Sequence, residues 1–87
     1  IAKGTDLNIM IPLINAPADT LLKIVEIEGG HGVRRRLLSL GFHKNHVIEI
    51  DKRSILRGPI LIKNRTSDMT VALGRGIAGK IQVEIVE

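Results

Sequence analysis

Two histidines, His43 and His46, are the residues of this chain best suited to metal chemistry. Their spacing could bring two imidazoles to one transition-metal ion, with Glu49 or Asp51 as a further ligand. The chain has no cysteine, which excludes thiolate metal sites, disulfides and a cysteine nucleophile. Because both histidines fall in a turn between predicted elements, nothing fixes their geometry. The sequence therefore favours solvated turn histidines over a metal centre.

A second motif, Gly74 to Gly79, matches the G-x-G-x-x-G pattern of dinucleotide-binding loops. Such a loop opens a helix, and an acidic residue follows about 20 positions further on. Here the residues after Lys80 alternate as a strand instead. The phosphate-loop variant also fails, because Ile81 stands where Ser or Thr must bind magnesium. We interpret the motif as a glycine-rich turn that could hold one turn of 3₁₀ helix.

No combination of residues typical of a catalytic site occurs in the chain. Acid–base catalysis by paired carboxylates needs one of them to be desolvated. The acidic residues mostly alternate with apolar ones, which is typical of solvated strand faces: Glu26, Glu28, Glu49, Asp51 and Glu84. We therefore expect no catalytic residues, no cofactor and no enzymatic activity.

The charge balance, 13 Lys and Arg against 9 Asp and Glu, gives a net charge of +4. Such a basic surface attracts nucleic acid, anionic lipid or an acidic protein without distinguishing among them. Phe42 is the single aromatic residue, too few for a surface that stacks bases or for a groove that grips polyproline. Nucleic-acid binding from charge alone would be weak and salt-dependent, and it stays an alternative. With no apolar run near 18 residues and no signal peptide, we expect a cytoplasmic protein without membrane insertion.

Residues 29–41 form the stretch that must position any binding surface. A glycine-rich turn leads into a short basic helix, and Gly41 ends that helix in the left-handed conformation. Three apolar residues share one helix face at 100° per residue: Val33, Leu37 and Leu40. Leu38 falls off this face, on the side of Arg34, and these two residues therefore become candidates for a contact surface.

The remaining chain is predicted to be mostly β. Residues 1–10 are predicted to be an irregular leader and 11–87 one domain, with strands at 21–28, 47–52, 60–63, 69–73 and 81–86. Period-two alternation places on one face of each strand Val25 and Ile27, Ile48 and Ile50, Met69, Val71 and Leu73, and Ile81, Val83 and Ile85, with Gln82 and Glu84 opposite. Five short strands with one helix inserted after the first favour a small antiparallel β-barrel, which has no exposed edges.

The chain resembles the FeoA domain family over residues 11–87. The likeness rests on Gly29-Gly30-His31-Gly32, on the arginine-bearing helix that ends in Leu40-Gly41-Phe42, on Pro12-Leu13, and on residues 58–62 and 72–81. The family often has glycine where Asp19 or Thr20 and Asn45 stand here. The resemblance implies an SH3-like barrel and a cytoplasmic accessory domain that docks on FeoB, the GTP-binding membrane transporter of ferrous iron, and tunes it.

On this interpretation the predicted docking surface comprises Arg34, Leu38 and Phe42, with Arg57 from a hairpin. Structural turns are predicted at Gly29, Gly30, Gly32, Gly41, Gly58 and Gly74. Two alternatives remain open, a domain that responds to a transition metal and a basic barrel that binds nucleic acid. The oligomeric state and the direction of any effect on GTP turnover are left open.

Overall fold

A computed structural model describes residues 9–51 and 58–86 as one antiparallel sheet with two helices. Its strands are β1 (Ile11–Pro12), β2 (Leu22–Ile27), β3 (Val47–Ile50), β4 (Ile60–Asn64), β5 (Met69–Leu73) and β6 (Ile81–Ile85). Helix α1 (His31–Ser39) follows β2, helix α2 (Arg75–Ala78) precedes β6, and a 3₁₀ turn covers Leu13–Asn15. The predicted mostly β class and the helix after the first long strand are confirmed.

The predicted closed five-stranded barrel is wrong. The strands form an open six-stranded sheet in the order β1-β6-β2-β3-β4-β5, so that β1 and β5 are its edges within residues 9–51 and 58–86. The additional strand, β1, has two residues, too few to produce an alternating pattern. It contains Pro12, which an edge strand tolerates because its missing N–H interrupts no central ladder.

A β-bulge in β2 changes which side chains face the core. Ile24 pairs with Val83 and Glu26 with Gln82, so Val25 is an extra residue in the ladder. As a result Ile24 and Ile27 are both buried although they are three residues apart. The predicted pairing of Val25 with Ile27 on one face is therefore wrong.

The core lies on one face of the sheet and is completed by Leu13, Leu37, Phe42 and Ala78 from outside the strands. Leu13 of the 3₁₀ turn is fully buried, so the segment just before β2 packs against the sheet. Two residues predicted to face inward, Met69 and Ile85, are exposed because they lie at strand ends beyond the core. Gln82, predicted to face outward, is buried on the central strand β6, between β1 and β2.

Helix α1 ends in a Schellman motif. The backbone N–H of Gly41 donates to the Leu38 carbonyl at 3.0 Å, and that of Phe42 donates to the Leu37 carbonyl at 2.9 Å. Gly41 has φ 93°, as predicted for the residue that ends the helix. Leu37 is buried on the core side of the helix, with Val33 and Leu40 packed against the same core, which confirms the predicted apolar face.

The other five predicted turn glycines differ in conformation and position. Two of them also have positive φ, which glycine adopts at little cost: Gly29 (103°) and Gly58 (77°). Gly30 and Gly74 instead precede α1 and α2 as their N-caps. Gly32 lies inside the first turn of α1 rather than in the preceding loop. In the G-x-G-x-x-G motif, a four-residue α-helix replaces the predicted 3₁₀ turn.

Two alanine substitutions, one inside α1 and one at the turn that ends it, are expected to change stability in opposite directions. Gly41→Ala should lower the free energy of unfolding by about 1–2 kcal/mol, because a β-carbon is strained at positive φ. Gly32→Ala should raise it by about 0.5–1 kcal/mol, because a methyl group there meets no atom within 4 Å and the unfolded chain loses freedom. Urea denaturation of both variants measures this. Equal effects of the two substitutions would contradict the proposed helix end.

Candidate docking groove

A groove of about 330 Å³ lies between helix α1 and strand β2. Its lining comprises Glu26 and Ile27 of β2, Arg34 and Leu38 of α1, and Lys44 of the following turn. The volume is at the small end of the range for ligand pockets, roughly 300–1,000 Å³. The groove therefore suits one or two side chains of a partner better than a large ligand.

The helical period brings Arg34 and Leu38 together, as the sequence predicts, because residues four apart lie on the same side of a helix. Leu38 is 47% exposed, whereas its neighbour Leu37 is fully buried. Ile27, also in the lining, is a core residue at 8% exposure. The groove thus offers an apolar contact made by one surface leucine and one core isoleucine.

Two cations and one carboxylate border this apolar contact. Arg34, Lys44 and Glu26 are all exposed. Within residues 9–51 and 58–86, none of these three charges has an ion-pair partner. An ion pair away from the groove joins Arg65, directly after β4, to Glu49 of β3 at 3.1 Å. The positive charges of the groove are therefore available to carboxylates of another molecule.

The docking surface predicted from the sequence needs one correction. Phe42 is fully buried and is one of the largest side chains of the core, so it cannot form part of a surface. The Schellman motif explains this, because the residue after the left-handed glycine typically packs back onto the last turn of the helix. Arg57 lies outside the described residues.

Sequence reasoning missed Lys44 and Glu26 as members of the same site. Lys44 is in the turn between α1 and β3, and Glu26 directly follows the extra residue of the bulge. A bulge redirects the side chains that follow it. No periodic pattern signals either position, since both depend on local irregularities of the backbone.

The two histidines considered for metal binding lie side by side, with ring centroids 4.9 Å apart. A hydrogen bond from Asn64 determines the tautomer of one of them, His46. The Oδ1 atom of Asn64 accepts hydrogen bonds from the backbone N–H groups of Thr66 and Ser67, which fixes the orientation of the amide. Its Nδ2 therefore donates to Nδ1 of His46 at 3.0 Å.

This hydrogen bond disfavours His46 as a metal ligand. A metal-binding histidine normally donates its second ring N–H to an acceptor. Here Nδ1 of His46 is itself an acceptor, so the proton lies on Nε2, the nitrogen that a metal would need. Within residues 9–51 and 58–86, no group of three His, Cys, Asp or Glu side chains is placed to hold a metal ion.

None of the helices in the described part of the chain is both long enough and apolar enough to cross a membrane.

Known proteins resemble this chain in sequence and in fold. The model of the FeoA domain matches residues 11–85. The chain is 32% identical over 78 residues to the "Putative Fe(2+) transport protein A" of Methanocaldococcus jannaschii, covering 90% of each protein. The crystal structure of an iron uptake regulatory protein, FeoA, is similar with a TM-score of 0.78 and 29% identity, over 90% of this chain and 100% of that one.

A manganese-dependent transcriptional repressor also contains a similar structure. Its TM-score is 0.79 at 19% identity, and the match covers 91% of this chain but 43% of the repressor. At this identity the likeness shows a shared fold alone.

Proposed function

Because this chain belongs to the FeoA domain family, which is associated with ferrous iron transport, we propose that it is a non-enzymatic accessory domain. It acts in the cytoplasm, where it docks on the GTP-binding portion of a FeoB-type transporter and tunes its activity. In this proposal the domain catalyses no reaction itself. Its contribution is a binding surface that the transporter recognises.

The observation that carries this proposal is the exposed Leu38, which shares the groove lining with two cations that have no ion-pair partner among the described residues, Arg34 and Lys44. An apolar side chain bordered by charges is a plausible binding hot spot, because water is excluded from its centre while the rim stays polar. The same helix keeps Leu37 and Val33 for the core. Docking therefore needs no rearrangement of the fold.

Charge reversal at Arg34 tests the proposal. Arg34→Glu should weaken binding to the isolated cytosolic portion of the transporter by about 10–100-fold, because it removes an attraction and adds a repulsion. The fold should persist, since an acidic residue in the first turns of a helix is favourable. Biolayer interferometry gives the affinity, and thermal unfolding verifies the fold.

The matched control is Arg35→Glu, which makes the same change on the exposed side of α1 away from the groove. It should bind within about threefold of wild type. Arg57→Glu tests whether Arg57, the fourth residue predicted for the docking surface, takes part in binding. Unaltered binding by Arg34→Glu, or equal losses in the Arg34 and Arg35 variants, would refute docking through this groove.

A further inference from the structure

We infer that the groove between α1 and β2 recognises an acidic protein segment with a single apolar anchor residue. This inference rests on the proposed docking function and adds the chemistry of the segment that is bound. The anchor contacts Leu38 and Ile27, and carboxylates on either side of it pair with Arg34 and Lys44.

The apolar part of the groove limits the anchor to one side chain. Leu38 supplies most of the exposed apolar surface, Ile27 of the strand adds the 8% of its surface that is exposed, and the other members of the lining are charged. A single leucine, isoleucine or methionine can cover this contact. A longer apolar face would force Arg34 or Lys44 out of water without a partner, which is costly.

The two cations of the groove come from different elements of the chain. Arg34 projects from the helix and Lys44 from the turn after it. Arginine can bind a carboxylate through two parallel hydrogen bonds, and lysine provides a point charge. A segment with acidic residues on both sides of its anchor is therefore complementary to the groove.

Glu26 disfavours the other classes of anionic ligand. Its carboxylate lies in the same lining and repels a closely spaced row of phosphates, as in nucleic acid or at an anionic membrane surface. A peptide can avoid this repulsion, because a neutral residue or a backbone N–H can face Glu26. In addition, the one aromatic side chain is buried, so no ring is available to stack on a base.

Three synthetic peptides of one length test the inference against the full 87-residue chain. The first carries one leucine with two aspartates on each side in a Gly/Ser background and a fluorescein label. The second has lysine in place of each aspartate, and the third has serine in place of the leucine. Fluorescence anisotropy should detect binding of the first, about 10-fold weaker binding of the third, and none of the second.

Variants of the protein locate the site. Leu38→Ser should weaken binding of the acidic leucine peptide about 10-fold. Glu26→Gln should strengthen binding of that peptide about 2–5-fold, because a like charge is removed. Arg35→Glu is the control and should change the affinity less than Arg34→Glu does. Equal affinity for the lysine peptide, no effect of Leu38→Ser, or displacement of the peptide by an equimolar oligonucleotide at physiological salt would overturn the inference.

The same variants separate this inference from the proposed function. If Arg34→Glu weakens binding of the transporter portion while Leu38→Ser binds it as well as wild type does, docking through the groove stands and the apolar-anchor chemistry is wrong. If the acidic peptide binds as expected while the transporter portion does not bind, the groove chemistry stands and the proposed partner is wrong.

Discussion

Replacing Phe42 with alanine is expected to lower the free energy of unfolding by about 3–5 kcal/mol. The side chain is fully buried among Leu37 and the strand residues of the core, so truncation leaves a cavity. A chain of this length has a total stability of about 4–13 kcal/mol, and the loss is therefore a large part of it. Urea denaturation followed by circular dichroism gives the value.

The matched control is Leu38→Ala, four residues earlier and 47% exposed. It should change stability by no more than about 0.5–1 kcal/mol, since alanine has a favourable helix propensity and little burial is lost. In the binding assays the order reverses, because Leu38→Ala weakens binding of the partner. A Phe42→Ala variant that kept nearly wild-type stability but lost affinity for the partner would show that Phe42 belongs to the docking surface.

These two residues show what the sequence pattern could and could not predict about the site. A helical period of 3.6 separates Leu38 from Val33, Leu37 and Leu40, and for that reason its exposure was predictable. Phe42 follows the helix, so that period does not apply to it. The Schellman motif explains the burial of Phe42, because Gly41 in the left-handed conformation makes the next residue pack back on Leu37.

The strands were predictable from their alternating pattern, whereas the open arrangement of the sheet was not predictable from it. Alternation located five strands to within one or two residues, since the pattern reports one buried face. Alternation cannot report how the edge strands pair. β5 has the same local pattern in an open sheet as in a closed barrel, and β1 is too short to have a pattern. The bulge at Val25 was hidden because an extra residue looks like a change of face.

Two residues with positive φ stand where the FeoA family often has glycine. Asn45 has φ 71° and Asp19 has φ 53°, at the two turns where the family often has glycine. Asparagine and aspartate tolerate this conformation better than other residues with a β-carbon. The turn geometry is thus retained without glycine.

Asn64 joins three separate turns, and its loss should be the second large effect. It is 2% exposed, and its Nδ2 donates to the Gly41 carbonyl at 3.1 Å and to His46, while Oδ1 accepts from two backbone N–H groups of the β4–β5 turn. The amide therefore uses both donors and both acceptor positions. Such a fully bonded buried group is costly to remove, because each partner loses its hydrogen bond.

Asn64→Ala should lower the free energy of unfolding by about 2–4 kcal/mol. Asn64→Asp should also lower it at neutral pH, because a carboxylate oxygen then faces the Gly41 carbonyl, whereas His46 can change tautomer and donate from Nδ1. Ser67→Ala is the control, with an expected change within about 0.5 kcal/mol, because Ser67 contributes its backbone N–H to Asn64. Urea denaturation measures all three.

The Asn64 variants also bear on the docking groove. The amide holds both the end of α1, through Gly41, and the turn that carries Lys44, through His46. At a temperature where Asn64→Ala is still folded, its affinity for the acidic leucine peptide should fall about 2–5-fold, because Lys44 loses its fixed position. Wild-type affinity in this variant, together with wild-type stability of Asn64→Asp, would show that the amide does not organise the groove.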